Sequence, residues 1–326
     1  MSAGSGGTPD VAAPPRVVII GDVFVDLSAK VKGLPQWDSD TEAEYIKAQP
    51  GGSALNQARQ LHSIGGAEVR FLGAIGDDAF GKMLMSHVQG QGFPLERVKV
   101  YRDLPSSVCI VLAGPSDRAF VSCYSTTDAF CTADVEDRAE AFEGSRHLHI
   151  GGYFNLKGLQ NPAFTAVVQR CRERGMTVSL NTQYDAGEKW TGEGGHLAEL
   201  LPLTDLLFVN EAEAERIAAK SPGVPAGAAG PEALCGAHPG LTVVMTRGGE
   251  GVDVVRAGAE RVRVATVPAK PVDATGAGDA FLAGYLSSWL AGDSQEAACA
   301  RGHAVARVCV GREGACVEPV RPADLQ

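Results

Sequence analysis

The chain has 326 residues, 44% of them apolar, and a formal charge of −10, which is enough to fill one large α/β domain and argues against nucleic acid or an anionic membrane as the main partner. Its eight cysteines are scattered without C-x-x-C spacing, and Cys109, Cys299 and Cys309 sit inside apolar runs, as small buried hydrophobes of a reducing compartment do. No apolar run reaches the length of a membrane span and residues 1–15 carry neither an apolar core nor basic residues, so the expected location is the cytoplasm.

Residues 1–15, rich in Gly, Ala, Ser and Pro without periodicity, are expected to be a disordered tail, with one folded domain over 16–326. The apolar run 16–20 ends in Gly21 and Asp22, the pattern of a buried parallel strand whose C-terminal end faces a crevice. Asp26 follows closely, where a carboxylate is placed either to accept hydrogen bonds from a substrate or simply to be solvated in a loop. Short alternation over 28–49 (Ala29, Val31, Ala43, Tyr45, Ile46), broken by Pro35, predicts strands of a small exposed sheet. Gly51 and Gly52 then allow close backbone approach, and Ala54, Ala58, Leu61 and Ile64 fall on one helical face. Asn56 lies in the first turn of that helix, where its amide can both donate to and accept from a polyol.

A strand over 69–76, a helix near 79–91 and a hairpin over 107–125 follow. From 147 onward strands and amphipathic helices alternate: strand 147–151, helix 163–174, strand 177–181, strand 205–210. That order predicts a parallel sheet with right-handed crossovers and helices on both faces. His147 and His149 alternate along one strand and are read as packing or surface residues, since a metal pair lacks a third ligand nearby. Asn210 and Glu213, three apart at the start of a helix, suit either helix capping or a polar site. Residues 220–231 are expected to be a surface loop, 241–246 a buried strand, and 297–310 an apolar helix ended by the turn at 311–315.

The stretch from Asp273 to Asp279 places Gly276, Ala277 and Gly278 between carboxylates and directly before an apolar helix. The first peptide N–H groups of a helix have no intrahelical acceptor, and the dipole adds about half a positive charge there, so small residues at this turn can cradle a phosphate. Asp279 beside a phosphate would be repelled unless its task is to take a proton from the attacking group. The plainer alternative is an Asp favoured at a helix start by the dipole alone.

Asp273-Ala274-Thr275-Gly276-Ala277-Gly278-Asp279 resembles the second signature, D-T-x-G-A-G-D, of the ribokinase-like PfkB family of carbohydrate kinases, with Ala274 where Thr is frequent. Gly51-Gly52-x-x-x-Asn56-x-Ala58 resembles the first signature. Gly21-x-x-x-x-Asp26, Gly76-x-Asp78, Asn210-x-x-Glu213 and Thr246-x-Gly248-x-x-Gly251 match further family positions in the expected order. The resemblance implies a three-layer α/β/α sandwich with a mostly parallel central sheet, a kinase domain over 16–326, and a small β lid contributed by about 28–49 and 105–125. It implies Asp279 as catalytic base and Gly276, Ala277 and Gly278 as anion hole, with Asp26, Gly51, Gly52 and Asn56 holding the acceptor. Asn210, Thr246, Gly248, Gly251 and His303 would face the nucleotide and Glu213 a magnesium ion through water. Asp273, Thr275 and Gly314 are the candidates for a monovalent cation such as potassium, although a downstream Ser frequent in ribokinases has no equivalent near Glu318.

The implied activity is ATP-dependent, magnesium-assisted phosphorylation of a hydroxyl of a small sugar. A nucleoside kinase and a non-catalytic sugar- or nucleotide-binding regulator on the same fold are the alternatives, and the regulator would be expected to lack Asp279. Ser53-Ala54 stands where ribokinases usually carry Lys-Gly, which weakens ribose as the acceptor. Phe24, Tyr124 and Tyr153 are the aromatic residues that could stack on a nucleoside base. The expected partners are therefore small molecules, with the chain a monomer or a homodimer joined through its lid.

Overall fold

The computed structural model describes residues 14–114, 118–267, 271–312, 314 and 317–325, so most of the expected tail over 1–15 lies outside the described residues. In chain order the first strands are β1 (Arg16–Gly21), β2 (Phe24–Val31), β3 (Ala43–Gly51), β4 (Glu68–Leu72), β5 (Ala74–Gly76), β6 (Lys99–Tyr101), β7 (Val108–Ala113) and β8 (Arg118–Cys123). They are followed by β9 (His147–Gly151), β10 (Thr177–Asn181), β11 (Leu206–Asn210), β12 (Thr242–Thr246), β13 (Val252–Arg256) and β14 (Val262–Val264).

The central sheet runs β14-β13-β12-β11-β10-β9-β1-β4, parallel from β4 to β12 and antiparallel across β12-β13-β14. Its parallel strands read as continuous apolar runs because both faces are covered. Val18 and Ile20 pack on one face with Phe164, Val168 and Ile217 from the helices Pro162–Glu173 and Glu211–Lys220. Val17 and Ile19 point the other way, toward Leu55 and Ala58 of the helix Ser53–Ser63 and Ala280 and Ala283 of the helix Ala277–Leu290. The two side-chain directions of a strand thus define the three layers.

The expected order of elements is present, with three differences: the strand expected over 69–76 breaks at Gly73 into β4 of the central sheet and β5, which pairs with β6 in a separate two-stranded sheet, and two boundaries differ. The segments expected to form the lid make a separate four-stranded sheet, β3-β2-β7-β8, which begins at Phe24, with only two residues between it and the end of β1. Buried Phe24 and Val25 anchor the strand, so Asp26 sits within the lid and not on a loop outside the central sheet. The expected loop over 220–231 ends earlier than its composition implied, because the helix Gly230–Ala237 starts inside it, with Pro231 in the first turn, where a missing N–H is harmless. No helix among the described residues is long and apolar enough to cross a membrane.

Candidate active site

The parallel strands end along one edge of the sheet, and their last residues or the next ones carry polar groups: Asp22 after β1, Asn181 on β10, Asn210 on β11 and Thr246 on β12. Ligands of open α/β sheets collect at this edge. Against it lies the start of the helix Ala277–Leu290. Gly276 caps that helix in the left-handed conformation, at φ 72°, which glycine adopts without the clash a Cβ would bring. Ala277 N–H donates to Ala274 O at 3.3 Å. A Cβ built on Gly278 would meet nothing within 4 Å, so this turn opens onto free space.

Asp279 is 8% exposed in the first turn and is held by the other glycine-bearing helix. Its Oδ1 accepts from Ser53 Oγ at 2.8 Å and Gln57 Nε2 at 2.9 Å, and its Oδ2 accepts from Asn56 Nδ2 at 3.2 Å. Burial pushes the Asp279 carboxyl up to about 7, against the three hydrogen bonds that favour its ionised form, and the nearby charge of Asp22 adds to the rise. Asp26 is also pushed up to about 7 by burial and by the charges of Asp22 and Asp279. Asp22, buried beneath them, is raised by desolvation although its Oδ1 accepts from Ala54 N at 2.7 Å and its Oδ2 from Asn155 Nδ2 at 2.8 Å. Three carboxylates thus share one partly desolvated site.

The two glycines of the first signature make this clustering possible in a way their sequence only partly conveys. A Cβ on Gly51 would sit 2.2 Å from Asp26 Cγ, and one on Gly52 would sit 2.6 Å from Asp22 O while φ there is 95°. The close approach that they permit is by the protein's own acidic segments. Asn56 keeps its Oδ1 buried and without a hydrogen-bond partner, facing the same region as its Nδ2 contact with Asp279.

Two clefts meet at Gly278. The polar one is lined by Gln57, Asn181, Asn210, Glu213, Gly276 and Asp279. The more apolar one holds Thr246, Gly248, Gly251, Ala277, Phe281 and His303. The His303 ring lies 5.3 Å from that of Phe281, and partial burial lowers its pKa. Gly251 turns at φ 112° where a Cβ would collide with Val264 O at 2.2 Å. Asn210 and Glu213 form a reciprocal cap: Glu213 N–H donates to Asn210 Oδ1 at 2.9 Å and Asn210 N–H to Glu213 Oε2 at 3.0 Å. The capping reading of this pair therefore holds, and the cap lies in the wall of the polar cleft.

Glu213 is buried and its pKa is raised by desolvation. A carboxylate in that state is stabilised by a nearby cation, and Asn181, Asn210 and Thr246 bring amide and hydroxyl oxygens to the same cleft, the donor chemistry magnesium accepts. Among the described residues no cluster of three or more His, Cys, Asp and Glu side chains forms a metal cage. At the other candidate cation position, the structure does bring Asp273, Thr275 and Gly314 together. The carboxylate accepts from Thr275 N–H at 2.8 Å and Gly314 N–H at 3.2 Å, and the Arg118 guanidinium lies 3.6 Å from it.

Sequence reasoning passed over several residues of this site. Gln57 is four residues after Ser53, hence on the same helix face, and Asn181 ends a parallel strand; both signals were readable. Arg118 had no such signal. It reaches from the lid strand β8 to bond Thr275 Oγ1 and lies 3.6 Å from Asp273, so the lid touches the loop before the anion-binding turn. Strand register puts Arg118 and Asp26 on the same face of the lid. Phe24 and Tyr153 are buried, which leaves Tyr124, in a cleft with Asn155 and Lys157, as the accessible aromatic of the three proposed for stacking.

A three-layer α/β fold, a small four-stranded sheet that reaches the loop at Thr275 and a helix start between two clefts suit a kinase of small hydroxylated molecules. The profile of the pfkB family carbohydrate kinases matches residues 14–321, and the chain belongs to that family of phosphotransferases. It is 25% identical over 310 residues to the ATP-dependent ribose-1-phosphate kinase of Halopiger xanaduensis, covering 94% of this chain and 96% of that protein. It is 26% identical over 307 residues to the adenosine kinase of Schizophyllum commune, covering 88% and 86%. The ribokinase of Giardia lamblia superposes with a TM-score of 0.78 at 20% identity, covering 95% of this chain and 98% of that one.

Proposed function

We propose that this protein transfers the terminal phosphoryl group of ATP to a hydroxyl of a small sugar, with Asp279 as the base. The observation that carries the reading is a buried carboxylate, pushed up to about 7, at the start of a helix whose first turn opens onto free space. A base poised near the working pH combines a useful ionised fraction with real affinity for the proton. The Asp26 carboxylate, which makes no hydrogen bond or ion pair among the described residues, and the unpartnered Asn56 Oδ1 are the groups left to receive acceptor hydroxyls. Peptide groups of the turn at Gly276, Ala277 and Gly278, with Arg118 from the lid, oppose the negative charge that gathers on the phosphoryl oxygens. Glu213 and Asn210 would hold a magnesium ion through water, and that ion would offset charge on the phosphates.

The apolar cleft with His303, Phe281 and the glycines after β12 suits an adenine and its phosphates. ATP is also the donor that the name of the Halopiger relative specifies. A nucleoside acceptor is the second reading, supported by the adenosine kinase relative and by accessible Tyr124. Sugar ranks first because the burial of Phe24 and Tyr153 leaves little aromatic surface for a base. The test is incubation with magnesium-ATP and a panel of sugars, sugar phosphates and nucleosides, following ADP release and the phosphorylated product. No acceptor-dependent ADP from any sugar, with turnover on adenosine, would replace the first reading by the second. Association of two copies through the lid is supported by Ile46, Ile110 and Val121, which are 71%, 38% and 59% exposed and share one lid face by register. Sedimentation showing only monomer across a wide concentration range would exclude it. The free cysteines Cys109, Cys123, Cys131, Cys171, Cys235, Cys299 and Cys309 suit a reducing cytoplasm.

A further inference from the structure

An unbroken run of hydrogen bonds leads from Asp279 into the interior of the central sheet. Gln57 Nε2 lies 2.9 Å from Asp279 Oδ1, and Gln57 Oε1 lies 2.7 Å from His149 Nε2. Beyond it, His149 Nδ1 is 2.7 Å from Ser179 Oγ, Ser179 Oγ is 2.8 Å from His147 Nε2, and His147 Nδ1 is 2.8 Å from Thr177 Oγ1. Strand register creates the row: Thr177 pairs with His147 and Ser179 with His149 across adjacent parallel strands, so all four side chains share the face covered by the helix of Gln57. His147, His149 and Ser179 have no exposed surface. Burial pushes both imidazoles down to about 3, with the neighbouring His147 adding to the shift of His149. Both rings are therefore neutral at physiological pH, each with one donor and one acceptor nitrogen.

With Asp279 ionised, one arrangement of protons satisfies the whole row. An ionised Asp279 only accepts, so Gln57 must turn its NH2 toward it and its carbonyl toward His149. The same Gln57 nitrogen is 3.0 Å from Asn181 Oδ1 and 2.7 Å from Ser53 Oγ, two further groups able to accept. His149 must then keep its proton on Nε2 and accept at Nδ1 from the Ser179 hydroxyl. Ser179, its single proton committed, accepts from His147 Nε2–H, and His147 Nδ1 accepts from Thr177. Every donor in the row points toward the carboxylate. Reversing Gln57 would set its carbonyl against the ionised Asp279, and His149 could meet the turned amide only by moving its proton to Nδ1 and reversing the rest of the row.

We propose that His149, backed by Ser179 and His147, is a positioning residue for phosphoryl transfer, which fixes the Gln57 amide so that a donor and not a carbonyl faces Asp279. The catalytic part of this inference rests on the reading of Asp279 as the base. It gives the two histidines, which the reaction does not touch, a role beyond packing.

The test compares His149→Leu with His149→Gln in the full chain, because a glutamine amide can place an N–H where the imidazole Nε2–H stands. His149→Leu is expected to lower kcat by about tenfold to a hundredfold, part of what a positioned base contributes, with KM for both substrates within about threefold. His149→Gln is expected to recover most of that loss. An unchanged kcat in His149→Leu, or equal impairment in the two variants, overturns the proposal. Should His149→Leu fail to fold, Ser179→Ala serves as the second break in the row and is expected to lower kcat in the same way; an unchanged kcat there also overturns it. Long-range proton–nitrogen NMR of the imidazoles reads the row without any turnover. A proton on Nε2 of His149 supports the proposal and a proton on Nδ1 overturns it. Asp279→Asn with retained turnover would refute the base and leave the tautomer result standing, so the two failures are distinguishable.

Discussion

Replacing Asp279 by Asn is expected to make the protein more stable and nearly inactive, and the size of the stability change follows from burial. The carboxyl is raised from 3.8 to about 7, so folding must hold an ionised group where water has been removed. At about 1.4 kcal/mol per pH unit, a difference of about 3 units amounts to roughly 4 kcal/mol as an upper bound. The sign follows from which state ionises first. Below pH 3.8 the carboxyl is protonated in both the folded and the unfolded chain and has no effect. Between 3.8 and about 7 the unfolded chain ionises and the folded one does not, so wild-type stability falls as pH rises, and above 7 the full penalty is present. Asparagine removes the charge and keeps the shape. Asn56, whose Oδ1 is unpartnered, can turn its amide to accept from the new NH2 group. Urea denaturation of both proteins at pH 4, 6 and 8 therefore gives a stability difference that grows in favour of Asp279→Asn by up to roughly 4 kcal/mol. Turnover falls by about a hundredfold or more in the same variant. A stability difference that is flat across this range would refute the buried-carboxylate reasoning, whatever the effect on turnover.

Further consequences can be measured directly. Turnover should rise with pH and level off above about 7, because Asp279 must lose its proton before it can accept one. Asp26 titrates in the same range, so the midpoint belongs to the pair, and a rate constant unchanged between pH 5.5 and 8 would exclude a carboxylate base of this kind. Gly52→Ala combines φ 95° with a 2.6 Å contact to Asp22 O, whereas Gly65→Ala has φ 72° and nothing within 4 Å. The first should cost about 3 kcal/mol in chemical denaturation and the second about 1 kcal/mol; equal losses would mean that the close approach to Asp22 is not real. Arg118→Ala should lower kcat/KM by about tenfold to a hundredfold, with the thermal midpoint shifted by less than about 4 °C because the side chain is exposed. Unaltered kcat/KM would remove Arg118 from the site.

Much of the fold and part of the site can be read along the chain, because they depend on local pattern. Continuous apolar runs such as 17–20 and 241–245 mark strands buried on both faces, and the small residues from Gly276 to Gly278 before an apolar run mark a helix start that can hold an anion. Asp26 and Asn56 stand at fixed distances from such landmarks, as do Asn210 and Glu213. Residues whose importance comes from a neighbour far along the chain are another matter. Arg118 is an unremarkable strand residue until the lid lies over Thr275, 157 positions away. His147 and His149 look like packing until the parallel register of β9 and β10 sets Ser179 between them and Gln57 at the end of the row.

The sequence by itself determined the family, the order of elements and the carboxylate at the helix start, since each is written in short-range spacing and in the alternation of apolar residues. Only the tertiary structure decided how far Asp279 is from water and which other carboxylates it faces. It alone decided also which atom of Gln57 points at Asp279. Desolvation, charge repulsion and hydrogen-bond direction all vary with distance in space, and strand pairing and helix packing, not separation along the chain, set those distances.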